Sequence, residues 1–282
     1  MAQKIASRLY EELENILEKE LPFSIQVSLD QAYYPLKLLR KRLLKNRIVW
    51  VDKWPDFRVV VVSDDRHKDA SPQRVYCFCR DQHGSSSLDS VLSLVSEYLS
   101  NSLLMFGCRP RVADDLIKCR GSSVRRLSSD AYMLTLPKEN IISLPIPDDF
   151  KVTCLSEHHL DTVVKEWPYS GVFSDAKEWI REMIGVSPSV CVENKEGQPI
   201  AWVLQQDYGC IGMLQVIAEY KRAKLGSAVT MLLAQKLREE GLYIYSAVNV
   251  ENSLSVAFHK KNGFQFLPDF LEAFVEYGFN QT

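Results

Sequence analysis

The sequence predicts a mixed α/β protein, of the α+β type, built from two domains. The chain has 282 residues, which is long for one compact domain and suits two of ordinary size. Hydrophobic residues make up 46% and charged residues 25%, as in globular proteins with a packed core. Strand-like and helix-like stretches alternate along most of the chain, which favours sheets covered by helices.

The first part of the chain reads as one mixed unit. Apolar residues recur at helical spacing over residues 3–19 and predict a helix. Strands are predicted at 23–29, 57–64 and 74–81, where apolar residues alternate or run together. Residues 87–106 predict a second helix, with Ser86 or Ser87 as its cap.

A basic stretch, residues 36–47, interleaves leucines with six cations. This pattern predicts an amphipathic helix with a solvated basic face. A membrane surface or a phosphate group stays open as its partner.

Residues 143–149 are short, polar and rich in proline, and we place a linker there. The predicted domains are then residues 1–142 and 150–282. In the second domain the predicted strands are 150–155, 189–194, 198–207, 210–217, 242–250, 263–267 and 272–279. The predicted helices are 156–167, 175–185, 222–240 and 252–262, with Ser156 as a first cap and Gly185 and Gly241 as ends. The order is β-α-α-β-β-β-α-β-α-β-β.

Composition excludes several classes of protein. The net charge of -2 argues against a general nucleic-acid-binding surface. No apolar run approaches the roughly 20 residues that span a bilayer, so stable membrane insertion is not expected. The seven cysteines are irregularly spaced and indicate reduced thiols in an intracellular protein without a structural metal. His158 and His159 are adjacent, so we expect them to point to different faces of a helix and both to be exposed.

The stretch EYKRAKLGSAV, residues 219–229, joins a predicted strand to a predicted helix. The first turn of a helix presents backbone N–H groups without intrahelical partners, and they bind phosphate well. Three cations, Lys221, Arg222 and Lys224, add charge beside them. Any residue except proline supplies such an N–H group, and Gly226 keeps the helix start uncrowded. The alternative is a basic helix start on the surface.

A second motif, ENSLSVAFHKKNGF, covers residues 251–264. Asn252 can cap a helix that carries Ser255, Phe258 and His259, and Asn262-Gly263 can end it. Taken alone, this stretch is equally consistent with an ordinary capped helix.

The two motifs in this order resemble the GNAT acyltransferase superfamily. The resemblance implies a GNAT fold for the second domain, with strand 210–217 splayed from residues 201–207 and the pantetheine arm of coenzyme A in the gap. Its implied cofactor contacts are Gln215, Val216 and Ile217 for the pantetheine amides, Lys221, Arg222, Ala223, Lys224, Leu225, Gly226 and Ser227 for the pyrophosphate, and Asn252. The superfamily's arginine or glutamine, glycine, and glycine or alanine correspond here to Lys221, Lys224 and Gly226.

His259 occupies the place where the superfamily usually has a tyrosine that protonates the departing thiolate. An imidazole near its ordinary pKa could do the same. The alternative is a half-buried helix residue without a catalytic duty.

Three further stretches are similar to the glycine N-acyltransferase family: residues 51–62, VDKWPDFRVVVV; residues 189–209; and residues 218–237. The resemblance implies a degenerate GNAT-like first domain and a working second one. It implies transfer of an acyl group from acyl-CoA, as substrate, to the amino group of glycine or a related amino acid, without a metal. It further implies a monomer acting on small molecules in mitochondria, with the cytoplasm as the alternative location.

Cys210 stands where the best-known relatives have a glutamate thought to deprotonate the amine. A thiol is a poorer base, and Asp207, Glu219 and Glu251 are the candidate substitutes. The resemblance places the acceptor pocket at Trp167, Tyr169 and Gly171, although this loop could equally close the core. A protein or peptide N-acetyltransferase, and a coenzyme-A-binding protein without turnover, stay open as alternative functions.

Overall fold

The computed structural model describes residues 2–19, 31–65, 73–80, 85–172, 175–221 and 223–278. By its internal contacts the chain divides into two compact units. Unit 1 comprises Met1–Tyr132, Asn249–Glu251 and Leu267–Thr282, and unit 2 comprises Met133–Val248 and Asn252–Phe266. The predicted domain boundary at residues 143–149 stays a prediction.

The elements up to residue 126 are β1 Gln3–Lys4, α1 Tyr10–Lys19, α2 Tyr33–Arg40, β2 Arg47–Val51, β3 Val59–Asp64, β4 Gln73–Arg74, β5 Tyr76–Cys79, α3 Ser85–Tyr98, β6 Leu104–Cys108, α4 Pro110–Arg120 and β7 Val124–Arg126. Those that follow are β8 Ala131–Thr135, β9 Lys151–Thr153, α5 Leu160–Glu166, α6 Ala176–Val186, β10 Ser189–Glu193, β11 Pro199–Gln205, β12 Ile211–Val216, α7 Leu225–Glu239, β13 Tyr245–Asn249, α8 Ser253–Lys261 and β14 Gln265–Tyr277.

Unit 1 has an antiparallel sheet in the order β1-β2-β3-β5. Strand β6 pairs in parallel with β4 and antiparallel with β14. Helix α3 buries Leu88, Leu92 and Val95 against this core, together with Val59 and Phe106. The spacing of these α3 residues places them on one face, which is why the helix forms and packs there.

Two helices predicted in unit 1 are shorter than the sequence indicated. The helix predicted over 87–106 ends at Tyr98, because Ser100 and Asn101 take left-handed φ values of 60° and 59°, and strand β6 follows. The helix predicted in the basic stretch ends at Arg40, since Arg42 takes φ 58° and Arg47 begins β2. These left-handed residues break the helical hydrogen-bond series.

Other predictions for this part have mixed outcomes. The strands predicted at 57–64 and 74–81 are confirmed as β3 and β5. The helix predicted from residue 3 begins at Tyr10 and is preceded by β1 and a 3-10 turn. The strand predicted at 23–29 lies outside the described residues.

Unit 2 contains an antiparallel sheet in the order β12-β11-β10-β9, and α7 packs across β10, β11 and β12. Helices α5 and α6 pack on each other and contribute to a core around Trp202, which is 1% exposed. Strand β13 pairs with β8 instead of with this sheet. The predicted order of strands and helices is confirmed as far as α8.

Two details of unit 2 differ from the prediction. Gly185 lies inside α6, which continues to Val186, so it does not end the helix. The two predicted final strands are one continuous strand, β14. By contrast, Gly241 takes φ 72° just after α7 and ends it as predicted.

Candidate active site

The strand-to-helix turn of unit 2 has the predicted form. Strand β12 is followed by a 3-10 turn, Ala218–Tyr220, and α7 begins at Leu225. Lys224, the N-cap residue, takes φ 56° and ψ 15°, a left-handed conformation that glycine adopts without strain. Lys224 therefore does not block the turn; it holds the glycine-like backbone at a cost of about 1 kcal/mol.

Backbone donors cluster at this turn. The N–H groups of the first α7 residues, from Leu225 to Ser227, have no acceptor within the helix because of their position. The Ala223 N–H instead donates to the Tyr220 carbonyl at 3.1 Å. Lys221 and Lys224 are exposed beside the turn, and Arg222 lies outside the described residues. The turn thus combines helix N–H groups with cations, which suits a phosphate group.

Gly226 allows α7 to approach its neighbours closely. A Cβ atom added there would lie 3.3 Å from Val216 Cγ2 and 3.5 Å from the Phe258 ring. Glycine at this position therefore brings the N-terminus of α7 against β12 and α8 together.

The predicted gap between residues 201–207 and 210–217 is wrong. Strands β11 and β12 are paired along their length, with Ala201 opposite Val216 and Gln205 opposite Ile211. A bulge interrupts this pairing where Met213 takes φ 52°. The splay of residues 210–217 was implied by the GNAT resemblance, and the strand it was assigned to splay from, residues 201–207, is its paired neighbour.

The gap lies instead between β12 and β13. Strand β12 is the edge of its sheet, and β13 belongs to a different sheet. At one end they are joined: the Ser246 hydroxyl donates to the Ile211 carbonyl at 3.1 Å, and the Ala247 N–H donates to Cys210 Sγ at 3.0 Å. Toward Val216 the strands are not sheet neighbours.

The backbone of Val216 faces this gap. The Ile217 N–H donates to the Ile200 carbonyl at 2.9 Å, toward β11. Because backbone groups alternate along an extended strand, the N–H and carbonyl of Val216 face the opposite edge. Gln215 and Ile217 direct theirs to β11. Of the three residues predicted to bond pantetheine, Val216 is thus the one placed to do so.

Cys210 is a bonded group at the closed end of the gap. It is 1% exposed, and its sulfur accepts the Ala247 N–H. This contact ties β12 to β13, and the thiol also donates to the Ile211 carbonyl at 3.5 Å. The geometry therefore favours a structural duty for this thiol.

His259 lies in α8 with a defined tautomer. It is 7% exposed, and Nδ1 lies 2.8 Å from the Ser255 carbonyl, to which it donates. Burial lowers the pKa of His259, and the bond to Ser255 offsets part of that effect. At neutral pH its Nε2 therefore carries a lone pair, so this ring begins as a proton acceptor. The Asn252 side chain accepts the Ser255 N–H at 3.0 Å and caps α8 as predicted.

Aromatic residues form the predicted acceptor loop. Trp167 packs on Tyr169 with ring centroids 5.9 Å apart and on Trp179 at 5.5 Å. The indole N–H of Trp179 donates to Asp207 at 2.6 Å. Gly171 is exposed in a 3-10 turn. Sequence reasoning missed Trp179, whose only signal was a large aromatic residue in an otherwise amphipathic helix.

The carboxylates proposed as bases occupy different settings. Asp207 is buried, at 3% exposure, whereas Glu219 is exposed on the turn before α7. Glu251 is exposed and belongs to unit 1. Asp207 is the candidate linked to the predicted acceptor loop, through Trp179, which packs on Trp167.

The expectation that both His158 and His159 are exposed is wrong for His159. Their ring centroids lie 3.7 Å apart, and His159 is fully buried. The Ser156 N–H donates to His159 Nδ1 at 3.1 Å, so the neutral ring carries its proton on Nε2, 3.2 Å from Glu193 Oε1. His158, His159 and Glu193 have the ligand types of a metal site, but this tautomer presents a donor to Glu193. The expectation of a metal-free protein stays a prediction.

Two general findings complete the description. None of the helices in the described ranges is both long and apolar enough to cross a membrane. All seven cysteines lie in described positions, and none of them forms a disulfide there.

Comparison with known proteins gives consistent likenesses. Residues 190–272 match the FR47-like protein family. Glycine N-acyltransferase from Bos taurus is 22% identical over 279 residues, covering 88% of this chain and 90% of that protein. A Drosophila protein of known structure superposes with a TM-score of 0.74 at 17% identity, covering 98% of both chains. A tandem GNAT protein from the clavulanic acid biosynthesis pathway superposes with a TM-score of 0.60 at 10% identity, covering 98% of this chain and 97% of that one. These neighbours establish a GNAT fold.

Proposed function

We propose that this chain, an acyltransferase of the GNAT fold and a homologue of the glycine N-acyltransferases, transfers an acyl group from a coenzyme A thioester to the amino group of glycine or a related amino acid. The supporting observation is the gap between β12 and β13, which opens toward Val216 next to the N-terminus of α7. A long, flexible thiol cofactor with a diphosphate at one end fits such a gap and turn.

The turn supports the assignment of the diphosphate end. N–H groups of residues 225–227, with Lys221 and Lys224 beside them, would hold the pyrophosphate. Val216 would bond the pantetheine amides through its backbone, as a strand pairs with a neighbour.

The reaction is direct transfer. The free amine attacks the thioester carbonyl carbon, and the C–O π pair moves to oxygen, giving a tetrahedral oxyanion. The oxyanion collapses, the C–S bond breaks, and the thiolate leaves while the amine nitrogen loses a proton to water or a base. A backbone N–H facing the gap, such as that of Val216, would stabilise the oxyanion. Holding the two substrates in line supplies much of the acceleration, since a thioester is already activated.

His259 fits this reaction less simply than a tyrosine would. With its pKa lowered by burial, little of the ring is protonated at neutral pH. Exchange of His259 for phenylalanine should therefore leave coenzyme A binding intact. If His259 still delivers a proton to the thiolate, the same exchange lowers turnover, most clearly at acidic pH, where more of the wild-type ring is charged.

One panel of assays tests the proposal. Purified protein is incubated with benzoyl-, phenylacetyl-, oleoyl- or acetyl-CoA and a set of amino acids and peptides, and free thiol is followed. Thiol release that depends on glycine or another free amino acid supports the proposal. Release with peptides alone would indicate a protein or peptide N-acetyltransferase. Thermal stabilisation by coenzyme A without release would indicate binding without turnover, and either result overturns the proposal.

Location and assembly are parts of the same proposal. From the family resemblance of the sequence, we propose a mitochondrial, monomeric enzyme of amino acid conjugation. Fractionation of cells and sedimentation of the purified chain test these two points separately.

A further inference from the structure

An aromatic chain in unit 2 runs from the surface to a buried carboxylate. Tyr169 is 45% exposed, and it contacts Trp167, which contacts Trp179. Trp179 is 9% exposed and donates its indole N–H to Asp207 Oδ2 at 2.6 Å. Asp207 itself is 3% exposed. The acceptor loop is therefore linked, through the indoles of Trp167 and Trp179, to the carboxylate of Asp207.

Asp207 is held in a rigid turn between β11 and β12. The Gln206 N–H donates to the Cys210 carbonyl and the Gly209 N–H to the Gln206 carbonyl, both at 2.8 Å. The Tyr245 hydroxyl, from β13, donates to the Tyr208 carbonyl. The turn that carries Asp207 is thus fastened to both strands that border the gap.

The hydrogen bond to Asp207 fixes how the Trp179 ring is turned. A buried indole N–H requires an acceptor, and an ionised carboxylate is a strong one. Without that acceptor the Trp179 ring could rotate, and Trp167, which packs on it, would lose its support. The position of Trp167 and Tyr169 therefore depends on a residue that does not belong to the loop.

We propose that Asp207 is a positioning residue for the acceptor: through Trp179 it sets the aromatic wall formed by Trp167 and Tyr169, against which the amine substrate lies. This inference rests on the proposed acyltransfer to an amino acid. Asp207 acts through its hydrogen bond and does not itself contact the substrate, consistent with its burial.

Matched variants separate the hydrogen bond from the charge. Asp207→Asn keeps an oxygen that accepts the indole N–H and removes the charge, whereas Asp207→Ala removes both. Trp179→Phe removes the donor and keeps the carboxylate. We expect Asp207→Asn to bind the acceptor as the wild type does, within about twofold. We expect Asp207→Ala and Trp179→Phe each to raise the acceptor KM about tenfold, with the acyl-CoA KM unchanged.

The double variant Asp207→Ala with Trp179→Phe tests whether the two residues act as one. It should be no worse than the more impaired single variant, because both remove the same bond. Thermal stabilisation by coenzyme A shows for each variant that unit 2 is folded. If Asp207→Ala does not fold, the comparison of Trp179→Phe with Asp207→Asn carries the test.

Three results would overturn the inference. Asp207→Asn as impaired as Asp207→Ala would show that the charge itself is used. Equal losses for acyl-CoA and acceptor would show a general structural role, and so would additive losses in the double variant. These outcomes are distinct from failure of the proposed function, in which the wild type releases no thiol with any amino acid; that result would remove the basis of the inference as well.

Discussion

Each unit contains a strand, a helix and a second strand in succession, and the two arrangements differ at one point. In unit 1 the strand directly before α3, β5, pairs with β3 and belongs to a different sheet from β6. The two-residue strand β4 just before β5 pairs in parallel with β6, with Gln73 opposite Leu104. The Val75 N–H extends this pairing to the Met105 carbonyl at 3.0 Å. In unit 2 the strands on either side of α7, β12 and β13, belong to different sheets.

The units therefore differ in how one end is joined: unit 1 uses backbone pairing of β4 with β6, whereas the bonds that join β12 to β13 involve side chains. Paired strands satisfy each other's backbone groups and leave no room for a third chain-like partner. An edge strand has an unpaired row of N–H and carbonyl groups, which a pantetheine arm can use. The bulge at Met213 is on this edge strand, where bulges commonly re-aim the backbone.

Three buried ionisable groups, one in unit 1 and two in unit 2, have pKa values shifted by burial. Unit 1 buries a carboxyl group, Glu272, which accepts a hydrogen bond from Gln31. Burial raises the pKa of Glu272 to about 8. Unit 2 buries the imidazoles of His159 and His259, and burial lowers the pKa of both. The contribution of Glu272 to stability should therefore fall as pH rises, and the contributions of His159 and His259 should fall as pH decreases.

The largest expected effect concerns Glu272. Its folded-state pKa of about 8 lies above the ordinary glutamate value of 4.5, so the folded state holds the proton more tightly. Its stabilising contribution is complete below about pH 4.5 and is lost as pH rises through about 8. The slope reaches at most about 1.4 kcal/mol per pH unit. As pH rises from 6 to 9, the free energy of unfolding of Glu272→Gln, measured by urea denaturation, should increase relative to that of the wild type.

The comparison of the two proteins at each pH is the control, because all other groups titrate in both. Glutamine keeps an oxygen that accepts the Gln31 amide. A difference between Glu272→Gln and wild type that stays constant from pH 6 to 9 would show that Glu272 does not titrate in this range.

The second prediction concerns His159 in unit 2, where the pH dependence of the free energy of unfolding has the opposite sign. Protonation of His159 at Nδ1 would place a donor against the Ser156 N–H, in a setting that also contains His158, Glu193 and Lys151. Burial and then His158 lower the pKa of His159, so its contribution is present above the unfolded pKa of about 6.5 and falls as pH decreases below it.

His159→Asn offers an oxygen to the Ser156 N–H without a titrating ring. It should therefore lose less unfolding free energy than the wild type between pH 7 and 5, in the same urea assay. Parallel pH profiles for the two proteins would contradict this assignment.

Third, reversing the charges at the turn of unit 2 should weaken cofactor binding. Lys221→Glu with Lys224→Glu should raise the Kd for coenzyme A at least about tenfold, and more at low salt. The matched control reverses two exposed cations of the basic stretch in unit 1, Arg42→Glu with Lys45→Glu. Titration calorimetry should show little change for this control. Equal losses for both pairs would mean that unit 1 contributes to the phosphate site.

The smallest expected effect is the relief of strain at Lys224. Its left-handed φ of 56° is easy for glycine and costly for alanine. Lys224→Gly should therefore be about 1 kcal/mol more stable to urea than Lys224→Ala, although both remove the charge. If the alanine variant is equally stable, the turn does not hold the left-handed backbone in solution.

Much of the fold could be predicted from local patterns in the sequence. The cap at Asn252 and the stop at Gly241 depend on neighbouring residues and were predictable. The helix predicted over 87–106 ran too long because the apolar run at Leu104–Cys108 does not by itself distinguish a helix from a buried strand.

The long-range contacts of the fold could not be predicted from the sequence. The partner from which β12 splays depends on strand pairing between distant segments. The contact between Trp179 and Asp207 joins residues far apart in the chain, and so does the burial of His159 against Glu193. None of these follows from periodicity, since that property describes each segment alone.

The most direct test of the account is amide hydrogen exchange with and without coenzyme A. Binding between β12 and β13 should slow exchange at Val216 and at the start of α7, residues 224–227. The paired strands β4 and β6 of unit 1 should be unchanged. Protection confined to unit 1, or none at residues 224–227 at saturating coenzyme A, would contradict the placement of the cofactor in unit 2.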